Sequence, residues 1–212
     1  MLIDELRRTG LVAILRGVTP AEVAEIGDAL FAAGIRIIEV PLNSPDPLAS
    51  IRILRERLPA ECLVGAGTVV SPAQVDDVRR AGGQLIVMPH SDPRVIRAAL
   101  AARLATMPGV ATPTEAFAAL DAGVDAVKVF PAELLGPSVL KAWRAVLPAD
   151  TALVPVGGIT PDKLAGFVAA GAAGAGLGSA LYHPGATAAE VAARATAFVD
   201  AWRAARSWHD DG

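Results

Sequence analysis

Apolar residues along this chain arrive in short, mostly unbroken blocks, and between the blocks they recur at helical spacing. The blocks are Leu11–Leu15, Ile35–Val40, Cys62–Ala66, Gln84–Met88, Leu104–Met107, Val124–Pro131, Ala152–Val156 and Ala173–Leu177. Blocks of this length without polar alternation predict strands covered on both faces, as in a parallel sheet. Alternate intervening segments open on Ser/Thr-Pro, at Thr19, Ser71, Thr112 and Thr160, and close on Ala-Gly, at Gly34, Gly82, Gly123 and Gly171. Thr19 to Glu22, Ser71 to Gln74 and Thr112 to Glu115 read as capping boxes with proline at the first helical position. Further helices are expected from Ser44-Pro45 to about Leu58, from Asp92-Pro93 to about Ala102, from Gly136-Pro137 to about Leu147, and from Ala188 to Ala205. A lead-in helix over residues 1–10 and a frayed tail over Ser207–Gly212 complete the expectation.

Eight strands alternating with helices, with a repeat every two strand–helix modules, predict a single-domain (β/α)8 TIM barrel over residues 1–212. An open, doubly wound α/β sheet is the structural rival. In a barrel the chemistry gathers where strands end and loops begin. Each strand end therefore becomes a candidate position.

Composition narrows the function classes. The chain is 53% apolar, which excludes disorder, and its net charge of −3 without a run of five like charges argues against nucleic acid or a membrane surface as partner. Leu164–Tyr182 is uncharged and about as long as a membrane span, but its glycines at 166, 171, 174, 176 and 178 fit a buried helix end followed by a buried strand. Cys62 is the one cysteine, so no disulfide framework forms and a cytoplasmic location is expected. The charged first residues lack the apolar core of a signal peptide.

Lys128 lies in the middle of an apolar strand, where desolvation penalises its ammonium form. A neutral amine is what attacks a carbonyl to form a Schiff base. Glu39 is its counterpart, a lone carboxylate near the end of Ile37–Pro41, and partial burial suits a group that accepts and returns protons near neutral pH. A purely structural Glu39–Lys128 ion pair is the plainer alternative. Arg16, ending the first strand, is placed to anchor a substrate carboxylate, or else to form a salt bridge at the mouth. Gly157 and Gly158 after the seventh strand, with Gly178 and Ser179 after the eighth, occupy the phosphate-binding position of this architecture. The run Gly174 to Gly178 lacks the strand–glycine–helix order of a dinucleotide site. His90, His183 and His209 are too scattered to argue a metal, and no metal or cofactor is expected. Trp143, Trp202 and Trp208 read as packing or subunit contacts.

Taken together, Leu15-Arg16-Gly17, Ile38 to Pro45, Gly65 to Val69, Pro108-Gly109 with Thr112 to Glu115, Lys128-Val129-Phe130-Pro131, Gly157 to Thr160 and Gly178-Ser179 resemble the class I 2-keto-3-deoxy-6-phospho-sugar-acid aldolases. The resemblance spans roughly residues 10–205. Asn43, where the gluconate branch has arginine, and Val156, where it has threonine, resemble the 2-dehydro-3-deoxy-6-phosphogalactonate branch instead. The resemblance implies Lys128 as the Schiff-base lysine and Glu39 as the proton shuttle. It implies Arg16 and Thr68 at the carboxylate, Phe130 over the pyruvyl part, Pro89 among the substrate-binding residues, Val156 near C4, and Gly157, Gly158, Gly178 and Ser179 at the phosphate. It implies pyruvate and glyceraldehyde 3-phosphate as products of a phosphorylated keto-deoxy sugar acid, no cofactor, and a homotrimer. Met88-Pro89-His90 departs from the family's Thr/Ser-Pro-Asn. The same reaction on the gluconate epimer, an imine-free synthase or epimerase, and a non-catalytic sugar-phosphate binding protein are the competing readings.

Overall fold

The computed structural model describes residues 2–210, with side chains through Ser207. The elements run α1 (Leu2–Arg8), β1 (Leu11–Ile14), α2 (Val23–Ala33), β2 (Ile37–Pro41), α3 (Pro47–Arg57), β3 (Leu63–Gly67), α4 (Pro72–Arg80), β4 (Leu85–Val87) and α5 (Pro93–Ala101). They continue as β5 (Ala105–Met107), β6 (Gly109–Val110), α6 (Pro113–Asp121), β7 (Val127–Val129), α7 (Ala132–Arg144) and β8 (Leu153–Pro155). A short 3-10 helix (Pro161–Lys163) leads into α8 (Leu164–Ala169), followed by β9 (Ala175–Leu177) and α9 (Ala188–Asp210).

Every block expected to be a strand is one, with a single subdivision. The fifth is broken into β5 and β6 at Pro108, which has no N–H to donate to a ladder. Gly109 follows because the Pro89 backbone passes so close that a side chain there would lie 2.7 Å from it. The capping boxes divide. Ser71 accepts from the Gln74 amide, and Thr112 with Glu115 forms the complete reciprocal box. At Thr19 the Glu22 carboxylate reaches back to the Thr19 amide, but the helix proper begins only at Val23.

Three helix starts correct the expectation. Ser44 does not cap α3: its hydroxyl accepts from the Gly17 amide, and Asp46 precedes the helix with Pro47 at its first turn. α7 begins at Ala132 rather than at Gly136-Pro137, where Gly136 breaks it with φ 65°. At Thr160 no side-chain cap forms and the start is 3-10. The closing helix runs to Asp210, past Ala205, so the expected tail is helical as far as it is described. The side chains of Trp208 and His209, and residues 211 and 212, lie outside the described residues.

All strand pairs are parallel. One sheet runs β5-β4-β3-β2-β1-β9 and the other β6-β7-β8. Neighbouring positions follow chain order without the reversal that defines a doubly wound sheet, so that rival is set aside. An isolated parallel bridge joins Val156 to Gly176, beside β8 and β9. At the other seam the amides of Ala126 and Lys128 donate to Thr106 and Pro108 carbonyls at 3.2 and 2.9 Å. The strands curl so that alternate residues enclose one interior cluster, Val12, Ile14, Ile37, Leu63, Leu85, Val87, Met107, Val154 and Val156, closed at one end by Leu2 and Leu6 of α1. The intervening residues, such as Leu11, Ala13, Ile38, Val64 and Ile86, face the helices in a larger outer core. Trp143 and Trp202 are buried in packing roles. No helix among the described residues is long and apolar enough to cross a membrane.

Candidate active site

The strand period of two decides which side chains point inward at the C-terminal ends. On β7 the interior residues are Ala126, Lys128 and then Phe130, while Val127 and Val129 pack against the helices. On β2, Ile37 lies inside and Glu39 follows two residues later, one step nearer the rim. The same alternation brings Ile14 and Arg16 from β1, Gly65 and Gly67 from β3, and Val154 and Val156 from β8. Of these, Ile14, Arg16, Lys128, Phe130 and Val156 line an open cavity of about 340 Å³.

Its lining contains Arg16, Thr68, Pro89, Lys128, Phe130, Val156, Gly157, Gly158, Gly178 and Ser179. Every expected site residue but Glu39 is therefore on the cavity wall. Glu39 sits beneath it, 2% exposed, and its Oε2 has no hydrogen-bond partner. Burial pushes its carboxyl up to about 7, against the opposing pull of the Lys128 and Arg16 charges. Lys128 is 6% exposed, and burial holds its ammonium below the usual lysine range, with Glu39 opposing that shift and Arg16 adding to it. The two feel each other's charge without forming a hydrogen bond or ion pair among the described residues, so the plain ion-pair alternative is not what the geometry gives. Lys128 Nζ lies 4.8 Å from the centroid of the Phe130 ring, which shields it from water on that side.

Small residues make room for the carboxylate. A side chain on Gly67 would fall 1.9 Å from Glu39 Oε2, so only glycine leaves that space open. Thr68, the next residue, has φ 56°, a left-handed conformation that a β-branched residue adopts only under constraint. Arg16 is exposed at the opening, where its Nη1 donates to Asn43 Oδ1 at 2.7 Å. Asn43 thus orients the guanidinium.

At the other end, Gly157 and Gly158 have φ of 110° and 64°, which side chains rarely tolerate. The amides of Gly158 and Ser179 donate to no backbone acceptor among the described residues, leaving N–H groups available to an anion, while Gly157 lies beside the Val156–Gly176 bridge. Lys163 Nζ donates to the Gly158 carbonyl at 2.8 Å and fixes the loop from behind. Val156 is buried against Gly176, where a Cβ would fall 2.6 Å from it, and shows the cavity an apolar wall. Sequence reasoning missed Ile14, Glu133, Ile159, Thr160 and Ala180 on the lining. Glu133 had a usable signal, two residues after Pro131 in the first turn of α7, but an acidic residue beside an expected phosphate site argued against notice. His90 is exposed and absent from the cavity wall. No group of His, Cys, Asp and Glu among the described residues has metal-binding geometry.

Four matches among known proteins bear on this geometry. A family model for KDPG and KHG aldolase matches residues 2–205. The 2-dehydro-3-deoxy-6-phosphogalactonate aldolase of Escherichia coli (strain K12) is 48% identical over 195 residues, 92% of this chain and 95% of that one. A solved structure of native KDPGal superposes with TM-score 0.91 at 48% identity, covering 93% of this chain and 96% of the other. KDPG aldolase from Legionella pneumophila, with pyruvate captured as a covalent carbinolamine, superposes with TM-score 0.81 at 26% identity over 97% of this chain and 98% of its own. With the lysine, the carboxylate and the glycine loops assembled around one cavity, the chain belongs to the KDPG and KHG aldolase family.

Proposed function

We propose that the chain is a Schiff-base aldolase that cleaves 2-dehydro-3-deoxy-6-phosphogalactonate to pyruvate and D-glyceraldehyde 3-phosphate. One observation carries the reading: Lys128 and Glu39, both buried at one end of the strand interior, have their charged forms penalised, one below and one above its ordinary range. That leaves an amine able to attack and a carboxyl able to exchange protons near neutrality.

In the forward reaction the neutral Lys128 amine adds to the C2 carbonyl and loses water to give an iminium. Glu39, as carboxylate, takes the proton of the C4 hydroxyl, directly or through water. The C3–C4 electron pair passes to the iminium, releasing the aldehyde and leaving an enamine. Protonation at C3 and hydrolysis return pyruvate and the free lysine. Arg16 and Thr68 hold the carboxylate end, Pro89 and Phe130 flank the pyruvyl part, and Gly157, Gly158, Gly178 and Ser179 surround the phosphate. Val156 offers C4 no hydrogen bond, which favours the galacto configuration over the gluco epimer. Relative cleavage rates on the two epimers test that choice.

The reading extends to three further points. The strands form one closed eight-membered (β/α)8 barrel, supported by the Val156–Gly176 bridge on one seam and the Ala126 and Lys128 amide bonds on the other. The chain is a homotrimer, supported by the large apolar side chains left open at Leu134 (81% exposed) and Val146 (60%). It works in the cytoplasm, in keeping with a single buried thiol.

Borohydride reduction in the presence of pyruvate, followed by peptide mass spectrometry, tests the mechanism. The chain has three lysines, Lys128, Lys141 and Lys163, so the adduct is readily assigned. A pyruvyl addition confined to Lys128 is expected; no adduct, or one shared with Lys141 and Lys163, defeats the proposal. Lys128→Arg separates it from imine-free chemistry, which would retain substantial turnover.

A further inference from the structure

Three charged side chains stand on the wall of the Lys128 cavity, Arg16, Lys128 and Glu133, and their arrangement runs against what a phosphate needs. The charges that Lys128 feels are those of Glu39 and Arg16, not that of Glu133, which places the acid at the other end. There its carboxylate covers the turn at Gly157 and Gly158. A side chain on Gly157 would collide with Glu133 Oε2, and one on Gly158 would lie 3.0 Å from Glu133 Cβ and 3.3 Å from Oε2. No hydrogen bond or ion pair ties the Glu133 side chain to another described residue.

Nothing behind the turn cancels that charge. A second cavity of about 370 Å³ lies there, with Glu133, Asp162, Lys163 and Phe167 on its wall. Lys163 donates to the Gly158 carbonyl at 2.8 Å, and the Asp162 carboxylate beside it feels the same ammonium. The one cation on that side is therefore already balanced by a carboxylate. At the glycine end a phosphate ester meets the free amides of Gly158 and Ser179, the Ser179 hydroxyl, and an uncompensated acid. Amides supply direction, whereas a lysine or arginine would have supplied charge.

We propose, resting on the aldolase reading above, that Glu133 sets how tightly the site holds a phosphate ester. Its carboxylate repels the dianion, so the glycine end orients the substrate while holding it weakly. A dianion meets about twice the repulsion of a monoanion, and a neutral acceptor meets none. Affinity for the phosphate that is equal in the ground and transition states would slow departure of the aldehyde phosphate without speeding the chemistry. An acid beside the cradle trims that affinity.

The test is a calorimetric titration with glycerol 3-phosphate, an unreactive phosphate ester, on wild type and Glu133→Gln. Glu133 is exposed and glutamine has nearly its size, so the variant should fold. At low salt it should bind about fivefold more tightly than wild type. At about 1 M NaCl, where the screening length is about 3 Å, the gap should close to less than about twofold. In the aldol direction, the ratio of kcat/KM for glyceraldehyde 3-phosphate to that for glyceraldehyde should rise about fivefold at low salt. No saturable binding by either protein, or equal or weaker binding by Glu133→Gln, overturns the proposal, because the carboxylate then does not oppose the phosphate. A gain that persists at high salt overturns it as well, since it would come from shape rather than charge. The titration needs no turnover, so failure to trap pyruvate on Lys128 would remove the aldolase reading and leave the role of Glu133 to be decided by the titration alone.

Discussion

The sharpest test of Glu39 leaves Glu39 in place and replaces Gly67 by alanine. A methyl group at Gly67 would sit 1.9 Å from Glu39 Oε2 and 2.3 Å from Cδ. Non-bonded carbon–oxygen contact becomes tolerable only beyond about 3.4 Å, so the carboxylate must retreat by about 1.5 Å. The carboxylate yields more readily than the strand, because β3 is fixed on both sides by β2 and β4 and Oε2 has no hydrogen bond to hold it. Gly67 does not have a positive φ, so alanine brings no backbone strain of its own. Overpacking of this kind costs about 1–3 kcal/mol of stability, part of it offset by the stiffer unfolded chain. Misplacing a catalytic group by an ångström or more costs about a hundredfold in rate. Gly67→Ala should therefore fold, lose about a hundredfold in kcat for cleavage, and still trap pyruvate on Lys128 with borohydride. Cleavage is followed by coupling aldehyde release to a dehydrogenase. A folded variant that keeps kcat within about threefold of wild type would show that no positioned carboxylate limits the rate, and the role given to Glu39 would fall.

Further predictions concern the charge and shape of the same cavity. Glu39 titrates at about 7 in the folded chain against an ordinary 4.5, so the folded state keeps a proton that the unfolded chain releases. Stability is then present in full below the ordinary value and is lost as pH rises to about 7, by about 3 kcal/mol, and Glu39→Gln should remove that slope in urea unfolding at pH 5 and pH 8. Thr68→Gly relieves the backbone held at φ 56° and should raise stability by about 1 kcal/mol while raising KM, read from denaturant midpoints and steady-state rates. Val156→Thr places a hydroxyl on the apolar wall and should move the galactonate-to-gluconate ratio of kcat/KM toward gluconate by about tenfold, measured on the two epimers separately.

The fold was largely legible because its strands are covered on both faces, which makes them continuous apolar blocks that need no periodicity to find. Helix starts were less legible because Ser/Thr-Pro has more than one use. Ser71 and Thr112 spend their hydroxyls on their own helices, whereas Ser44 spends its on Gly17, a partner 27 residues away that no local window contains. The same limit explains the site. Lys128 and Glu39 are conspicuous because a lone charge in an apolar strand is expensive. Asn43, Gly67 and Glu133 matter only through the side chains opposite them, and those are set by tertiary packing.

The arrangement of Lys128 and Glu39 argues that their placement serves reactivity at the expense of stability. A direct ion pair would have relieved both, yet it would also have kept the lysine protonated and unable to attack a carbonyl. A hydrogen bond to Glu39 Oε2 would have lowered its titration point and weakened it as a base, and that oxygen is left without a partner. What separates the two groups is therefore as informative as what surrounds them. Phe130 occupies one side of the lysine, and the room that lets the carboxylate stay back comes from a glycine at 67. An apolar residue of similar size at position 39 would remove a buried, unsatisfied acid, so Glu39→Leu should raise the unfolding midpoint at pH 8 while abolishing cleavage. If instead Glu39→Leu were clearly destabilising at pH 8, the carboxylate would be contributing to the fold, and the separation from Lys128 would need another cause.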